Sequence, residues 1–187
     1  TNNDSTARTY IVTILYEDVT PSSIFKALQA SAVGSDVATA QPWFPSAGAV
    51  TLEANTTYFF DGYLRTSRSA GTVSHTTSLL FSAGTLTFFA LTYKAQCNTG
   101  DVVTNGAENQ TASEVATAVV VKAASTSATE QISIHVTGVL RVNAAGTFIP
   151  GFQYSSAPGG APTIMAETYF RLVKEGHGSV TTRGTWA

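Results

Sequence analysis

A two-layer all-β fold, an antiparallel β-sandwich or jelly roll, is what the sequence predicts, and three observations predict it. Short segments rich in β-branched and aromatic residues recur with turn signals between them, about eight to ten strands at roughly 8- to 12-residue spacing. Charged residues make up 12% of the chain, against about 25% in ordinary soluble domains. Thr, Ser, Asn, Gln and Gly must therefore cover the surface, a composition suited to β-structure. In the segment 52–81, LEANTTYFFDGYLRTSRSAGTVSHTTSLLF, aromatic residues occupy both parities of one strand, with Tyr58 and Phe60 on one and Phe59 and Tyr63 on the other. Side chains alternate faces along a strand, so both faces are expected to be covered, one by the core and one by a further layer or a neighbouring subunit.

Taken in order, residues 1–8 are polar and read as a flexible or arm-like lead, and residues 9–16, TYIVTILY, read as a strand. Within 17–41, Thr20 and Pro21 resemble an N-cap and first helical position, with Ile24, Phe25 and Leu28 on one stripe. This predicts a short helix or turn, weakened by Ser22, Ser23, Ser31 and Ser35. Residues 41–48, QPWFPSAG, hold Trp43 and Phe44 between two prolines and read as an extended connector. Strands follow at 49–52, 56–65, 76–81 and 84–95, the first two separated by the turn Glu53-Ala54-Asn55. Residues 96–113 carry Gly100, Asn105, Gly106 and Asn109 and read as the longest loop. A strand at 115–124 and a low-complexity link at 124–130 lead to 131–142, QISIHVTGVLRV, the cleanest alternation in the chain. There Ile132, Ile134, Val136, Gly138, Leu140 and Val142 share one face, and Ser133, His135, Thr137 and Arg141 the other. Residues 143–146 read as a hairpin connection using Gly146. Residues 147–154 form a strand that Pro150 assigns to an edge or a bulge, 157–162 a tight loop, 168–174 a closing strand and 175–187 a C-terminal tail. The whole chain, 1–187, reads as one sandwich domain.

The formal charge of -2 and the scatter of the ten basic residues give no electrostatic basis for nucleic-acid binding. Cys97 is the single cysteine, so no internal disulfide is available, and it reads as an inert thiol. No apolar run approaches the roughly 18 residues of a membrane span. The opening TNNDST, without an initiator Met, reads as a processed product or an excised domain.

Little in the sequence points to catalysis. His75, His135 and His177 are too far apart for a local metal motif, and neither a Cys and His zinc set nor a GxSxG elbow is present. Carboxylates available for glycoside cleavage are scarce: Glu53, Asp61, Asp101, Glu108, Glu114, Glu130 and Glu167. Asp61 beside Tyr63 would suit a sugar site, but an ion pair with Arg65 or Arg141 is the simpler expectation. No catalytic residue, cofactor or metal is therefore expected. Phe59, Tyr63, Phe89, Tyr169 and Trp186 are the candidate subunit-interface residues. Trp43 and His75 are candidates for ligand or partner contact, against plainer roles as a core anchor and a hydrogen-bonded loop histidine.

Two segments, TTYFFDGYLRTSRSAGTVSHTTSLLF at 56–81 and GVLRVNAAGTFIPGFQYSSAPGGAPTIMAETYFRLVKEG at 138–176, resemble a module found at the C-terminal ends of tail-fibre and other structural proteins of tailed bacteriophages. The order of a strong aromatic strand, a Gly turn and a closing aromatic strand at Tyr169 and Phe170 also resembles the jelly roll of the TNF and C1q superfamily, which assembles as trimers. These resemblances imply a non-enzymatic, homotrimeric virion surface protein that decorates the capsid or forms a fibre or spike. Its implied partners are its own copies, other virion proteins and a host-surface glycan, without nucleic acid or membrane insertion. Two other classes fit the composition: a secreted carbohydrate-binding module and a polysaccharide-cleaving tailspike domain.

Overall fold

The structure, a computed structural model, describes residues 23–46, 48–69, 71–83, 88–99, 108–113, 118–126 and 128–177, with backbone alone described at 82–83, 88–99, 108–113, 125 and 176–177. Thirteen strands and no helix occur among them. They are β1 (Ser23–Ala27), β2 (Ala32–Val33), β3 (Gln41–Pro42), β4 (Val50–Leu52), β5 (Thr56–Arg68), β6 (His75–Ala83) and β7 (Phe88–Thr99). The series continues with β8 (Glu108–Ser113), β9 (Val119–Ser125), β10 (Glu130–Val142), β11 (Gly146–Tyr154), β12 (Thr163–Ile164) and β13 (Tyr169–His177).

Two antiparallel sheets form a β-sandwich. The larger, eight-stranded sheet has the order β1-β13-β5-β10-β7-β8, with β12 bridging β5 and β2. The smaller, five-stranded sheet has the order β3-β11-β6-β9, with β4 also paired to β11. Period-two patterning explains the layering. Even-numbered residues of β5 and β10 are the apolar set, and Tyr58, Phe60, Leu64, Ile132, Ile134, Val136 and Leu140 are all buried. Phe81, Phe148, Phe152 and Tyr154 of the smaller sheet meet them, and Phe60, Phe81, Phe148 and Phe170 make a continuous ring cluster.

Trp43 closes one end of this core with no exposed surface, edge-on to Phe170 at 5.5 Å. Gly62 lets it in: a Cβ there would lie 2.6 Å from Phe170 Cδ2 and 2.8 Å from Trp43 Cζ3. The expected extended connector is extended only at β3; residues 43–46 bend away from it, and the Trp43 amide donates to the Pro150 carbonyl at 2.9 Å.

Several expectations are revised. Residues 23–27 are not helical but form β1, paired with β13 from Ser23↔Val173 to Ala27↔Tyr169. Ile24 and Phe25 suit a strand as well as a helical stripe, and a serine-rich segment of poor helix propensity takes the sheet edge. The expected long loop at 96–113 is shorter, because β7 runs to Thr99 and β8 begins at Glu108, the two pairing as a hairpin. Residues 143–146 are not a hairpin: β10 and β11 lie in different sheets, so this stretch is a corner between layers. Pro150 lies in an interior strand, between the stretch of β11 paired with β4 (146–148) and that paired with β3 (151–152), so its missing N–H removes no ladder bond. The expected strand at 9–16 and lead at 1–8 lie outside the described residues, as does most of the expected tail; residues 175–177 continue β13.

Candidate functional site

The odd parity of β5 points away from the core, and its neighbours in register define the outer face of the larger sheet. Phe59 sits between Val139 of β10 and Val173 of β13 and is 48% exposed. Two residues on, Asp61 lies between Thr137 and Arg171, and Arg171 Nε donates to Asp61 Oδ1 at 2.7 Å. Two further on, Tyr63 lies between His135 and Tyr169. The Tyr63 hydroxyl donates to Ser133 Oγ at 3.0 Å, and its ring stacks on Tyr169 at 6.4 Å. Tyr169 in turn lies 6.0 Å from Phe25 of β1, which is 62% exposed. A row of three rings, Phe25, Tyr169 and Tyr63, thus crosses three adjacent strands, beside an apolar group of Phe59, Val139 and Val173. Burial, followed by the Asp61 charge, pushes the Tyr169 phenol up from its usual range.

A second feature lies inside the sandwich. Arg68 ends the core-facing parity of β5, where a charge demands a buried partner. Glu130, at the start of β10, supplies it: Oε2 lies 3.6 Å from the Arg68 guanidinium and 3.1 Å from His75 Nε2, while Oε1 pairs with Lys122 of β9. Arg68 and Glu130 belong to the larger sheet and His75 and Lys122 to the smaller, so the four residues tie the layers together. Burial is the largest influence on the Glu130 carboxyl and pushes it up, but Lys122 and His75 together outweigh it and hold the group below its ordinary value. Burial also pushes the neighbouring Tyr154 phenol well up, with the Glu130 charge adding to it.

The sequence-predicted residues divide between these regions and the core. Phe59, Tyr63 and Tyr169 share the outer face. Phe89 lies in β7, where the register shifts from Arg141↔Ala90 to Val142↔Phe88 and leaves it as the extra, bulged residue; its side chain is not described. Trp186 lies outside the described residues. Trp43 and His75 are corrected as partner contacts: both are buried, Trp43 in the ring core and His75 in the charge cluster. Phe44, the other aromatic residue of the 41–48 connector, is buried too. Asp61 pairs with Arg171 rather than Arg65 or Arg141, because β13, not only β10, adjoins β5. Among the carboxylates considered for catalysis, Glu53 pairs with Lys174, Glu167 with Arg65 and Glu130 with the cluster. No group of three metal-ligating side chains occurs among the described residues. Sequence reasoning missed Phe25, assigned to a helix, and Val139, the apolar residue on the otherwise polar parity of β10. It also missed the cluster, although Arg68 on the buried parity was the signal for it.

No protein-family model matches the chain, and no curated protein matches it. Among solved structures it is similar to a chain from "Structure of infectious bursal disease virus Gx strain", at 10% identity and a TM-score of 0.16, covering 85% of this chain and 44% of that one. The chain thus spans less than half the length of that protein, and likeness at this level carries no argument about fold or function.

Proposed function

We propose that the chain is a bacteriophage virion structural module, a jelly-roll domain that assembles as a homotrimer and decorates the capsid or forms part of a fibre or spike. The observation that carries this reading is the exposure of Phe59 between Val139 and Val173, on a strand, β5, whose opposite face is buried along its length. Apolar and aromatic side chains grouped on one face are the usual mark of a contact surface, and closed homo-oligomers are its commonest occupant. The ion pair Asp61–Arg171 borders this group on the side of the Tyr63 and Tyr169 rings, and Arg65–Glu167 lies beyond them. In this reading the work is mechanical: copies shield one another's aromatic faces, the trimer is rigid, and the loops at the sandwich ends meet the particle or the host surface. The resemblance of segments 56–81 and 138–176 to phage tail modules supports the setting. Sedimentation equilibrium tests it. The expected mass is three times that of the 19.5 kDa chain, holding on dilution; a stable monomer overturns the reading.

The ring row favours a second reading, a carbohydrate-binding module. Phe25, Tyr169 and Tyr63 make an aromatic strip bordered by Asp61, Arg171 and His135, apolar faces with convergent polar groups. Glycan binding by a monomer, lost in Tyr169→Ala, is the outcome that selects it.

A further inference from the structure

Glu130 is the common partner of three basic side chains drawn from three other strands, and both ring nitrogens of His75 are engaged around it. His75 Nδ1 lies 2.8 Å from the Val73 carbonyl oxygen, and Nε2 lies 3.1 Å from Glu130 Oε2. Both ring nitrogens therefore face acceptors. A neutral imidazole has one N–H and can serve only one of them; the second bond requires a second proton. Glu130 is thus the shared partner of Arg68, Lys122 and His75.

The same residues hold two loops at one end of the sandwich. Arg68 Nη1 donates to the Gly71 carbonyl at 3.1 Å and approaches the Pro158 carbonyl at 3.5 Å, while His75 anchors Val73. The loops lie directly on each other: a Cβ on Gly71, at a φ of 87°, would run into the backbone of Pro158 and Gly159. Outside the cluster, Ser156 Oγ donates to the Ser74 carbonyl and the Gly159 amide to Asp36 Oδ1, both at 2.9 Å. A polar cleft of about 450 Å³, lined by Ser67, Ser69, Thr129, Gln131 and Thr163, opens over Arg68 and Glu130 and gives solvent protons a route to the carboxylate.

We propose that Glu130, with Arg68, His75 and Lys122, forms a proton-operated latch that clamps the two sheets and the 71–74 and 155–162 loops, and that acid opens it. Protonating Glu130 removes the anion that the Arg68 and Lys122 cations share. They are then left close together in a poorly solvated space, where like charges repel most strongly. The ring of Tyr154, edge-on to His75 at 5.0 Å, adds no charge to replace it, and Asp36 accepts from the Gly159 amide of the 155–162 loop. The loops then part while the ring core, which holds no carboxylate, stays folded. This inference is independent of self-association.

Amide hydrogen exchange on the intact chain, corrected for the chemical rate at each pH, tests it. Between pH 7 and pH 3, exchange in 71–74 and 155–162 is expected to rise about tenfold, with residues 58–64 of β5 still protected. Glu130→Gln should show the raised exchange already at pH 7 and no further acid step. If that variant fails to fold, Lys122→Met serves: removing a partner of the carboxylate should move the step to higher pH. Asp36→Asn, which alters the other acid attachment, should leave the step in place. Equal protection of both loops at the two pH values overturns the latch. So does a step that survives Glu130→Gln, or one that Asp36→Asn abolishes.

Discussion

Phe59 and Val139 stand directly opposite each other across the β5–β10 ladder, on the solvent side of the larger sheet, 48% and 36% exposed. Neither supports the core, so their removal separates association from folding. Phe59→Ser is expected to lower the solution mass toward that of one chain while changing unfolding free energy by no more than about 0.5 kcal/mol. Paired sedimentation and urea-denaturation measurements check it, and a Phe59→Ser protein of unchanged mass would remove this face from the interface.

The Glu130 cluster predicts how stability varies with pH. Its carboxyl is held below its ordinary value of 4.5, so the unfolded chain binds this proton more readily than the native one. The contribution is complete above that value and is lost as pH falls through the lower native one. Denaturant midpoints measured from pH 7 down to pH 3 should fall for the wild type and flatten for Glu130→Gln. Glu130→Ala, which leaves buried cations without their shared anion, should cost about 3–5 kcal/mol at pH 7.

Gly62→Ala places a methyl group against Phe170 and Trp43 at 2.6 and 2.8 Å, in a core with no room to give. The expected loss is about 1–3 kcal/mol. Combining it with Phe170→Leu should cost less than the sum of the two single changes, because the smaller side chain yields the space; a double-mutant cycle of denaturation free energies reads this out.

Trp43 and Asp61 make an informative contrast. Trp43→Ala opens a cavity in the ring core and should lower stability by about 3–5 kcal/mol. Asp61→Asn weakens a pair in which Arg171 is more than half exposed, and should change stability by less than about 1 kcal/mol. Thermal unfolding of the two variants side by side decides whether Trp43 is an anchor or a contact residue.

Alternation carried most of what was legible beforehand. The buried sets of β5 and β10 follow period two, broken only at Gly138, and the same count placed Phe59 and Tyr63 outside. What alternation cannot encode is which strand lies beside which. The pairing of Asp61 with Arg171 depends on β13 inserting between β1 and β5, a neighbour 110 residues distant. The corner at 143–146 has the composition of a tight turn, but its conformation is set by the sheet the next strand joins. Phe25 was misplaced because Ile24 and Leu28 are spaced as helix neighbours, and only the free edge of β13 decides otherwise.

Successive long strands cross from one layer to the other, so that among the described strands only β7 and β8 pair with an immediate chain neighbour. Ser23 must find Val173, and Thr56 must find Val142, before either ladder forms. Such high contact order means that wide loops are closed before any pairing rewards them, which places refolding in the slow, millisecond-to-second regime of non-local β topologies. During that interval Phe59 and Phe25 belong to no partner, and dilute conditions should raise the yield of correctly folded chains at the expense of aggregates.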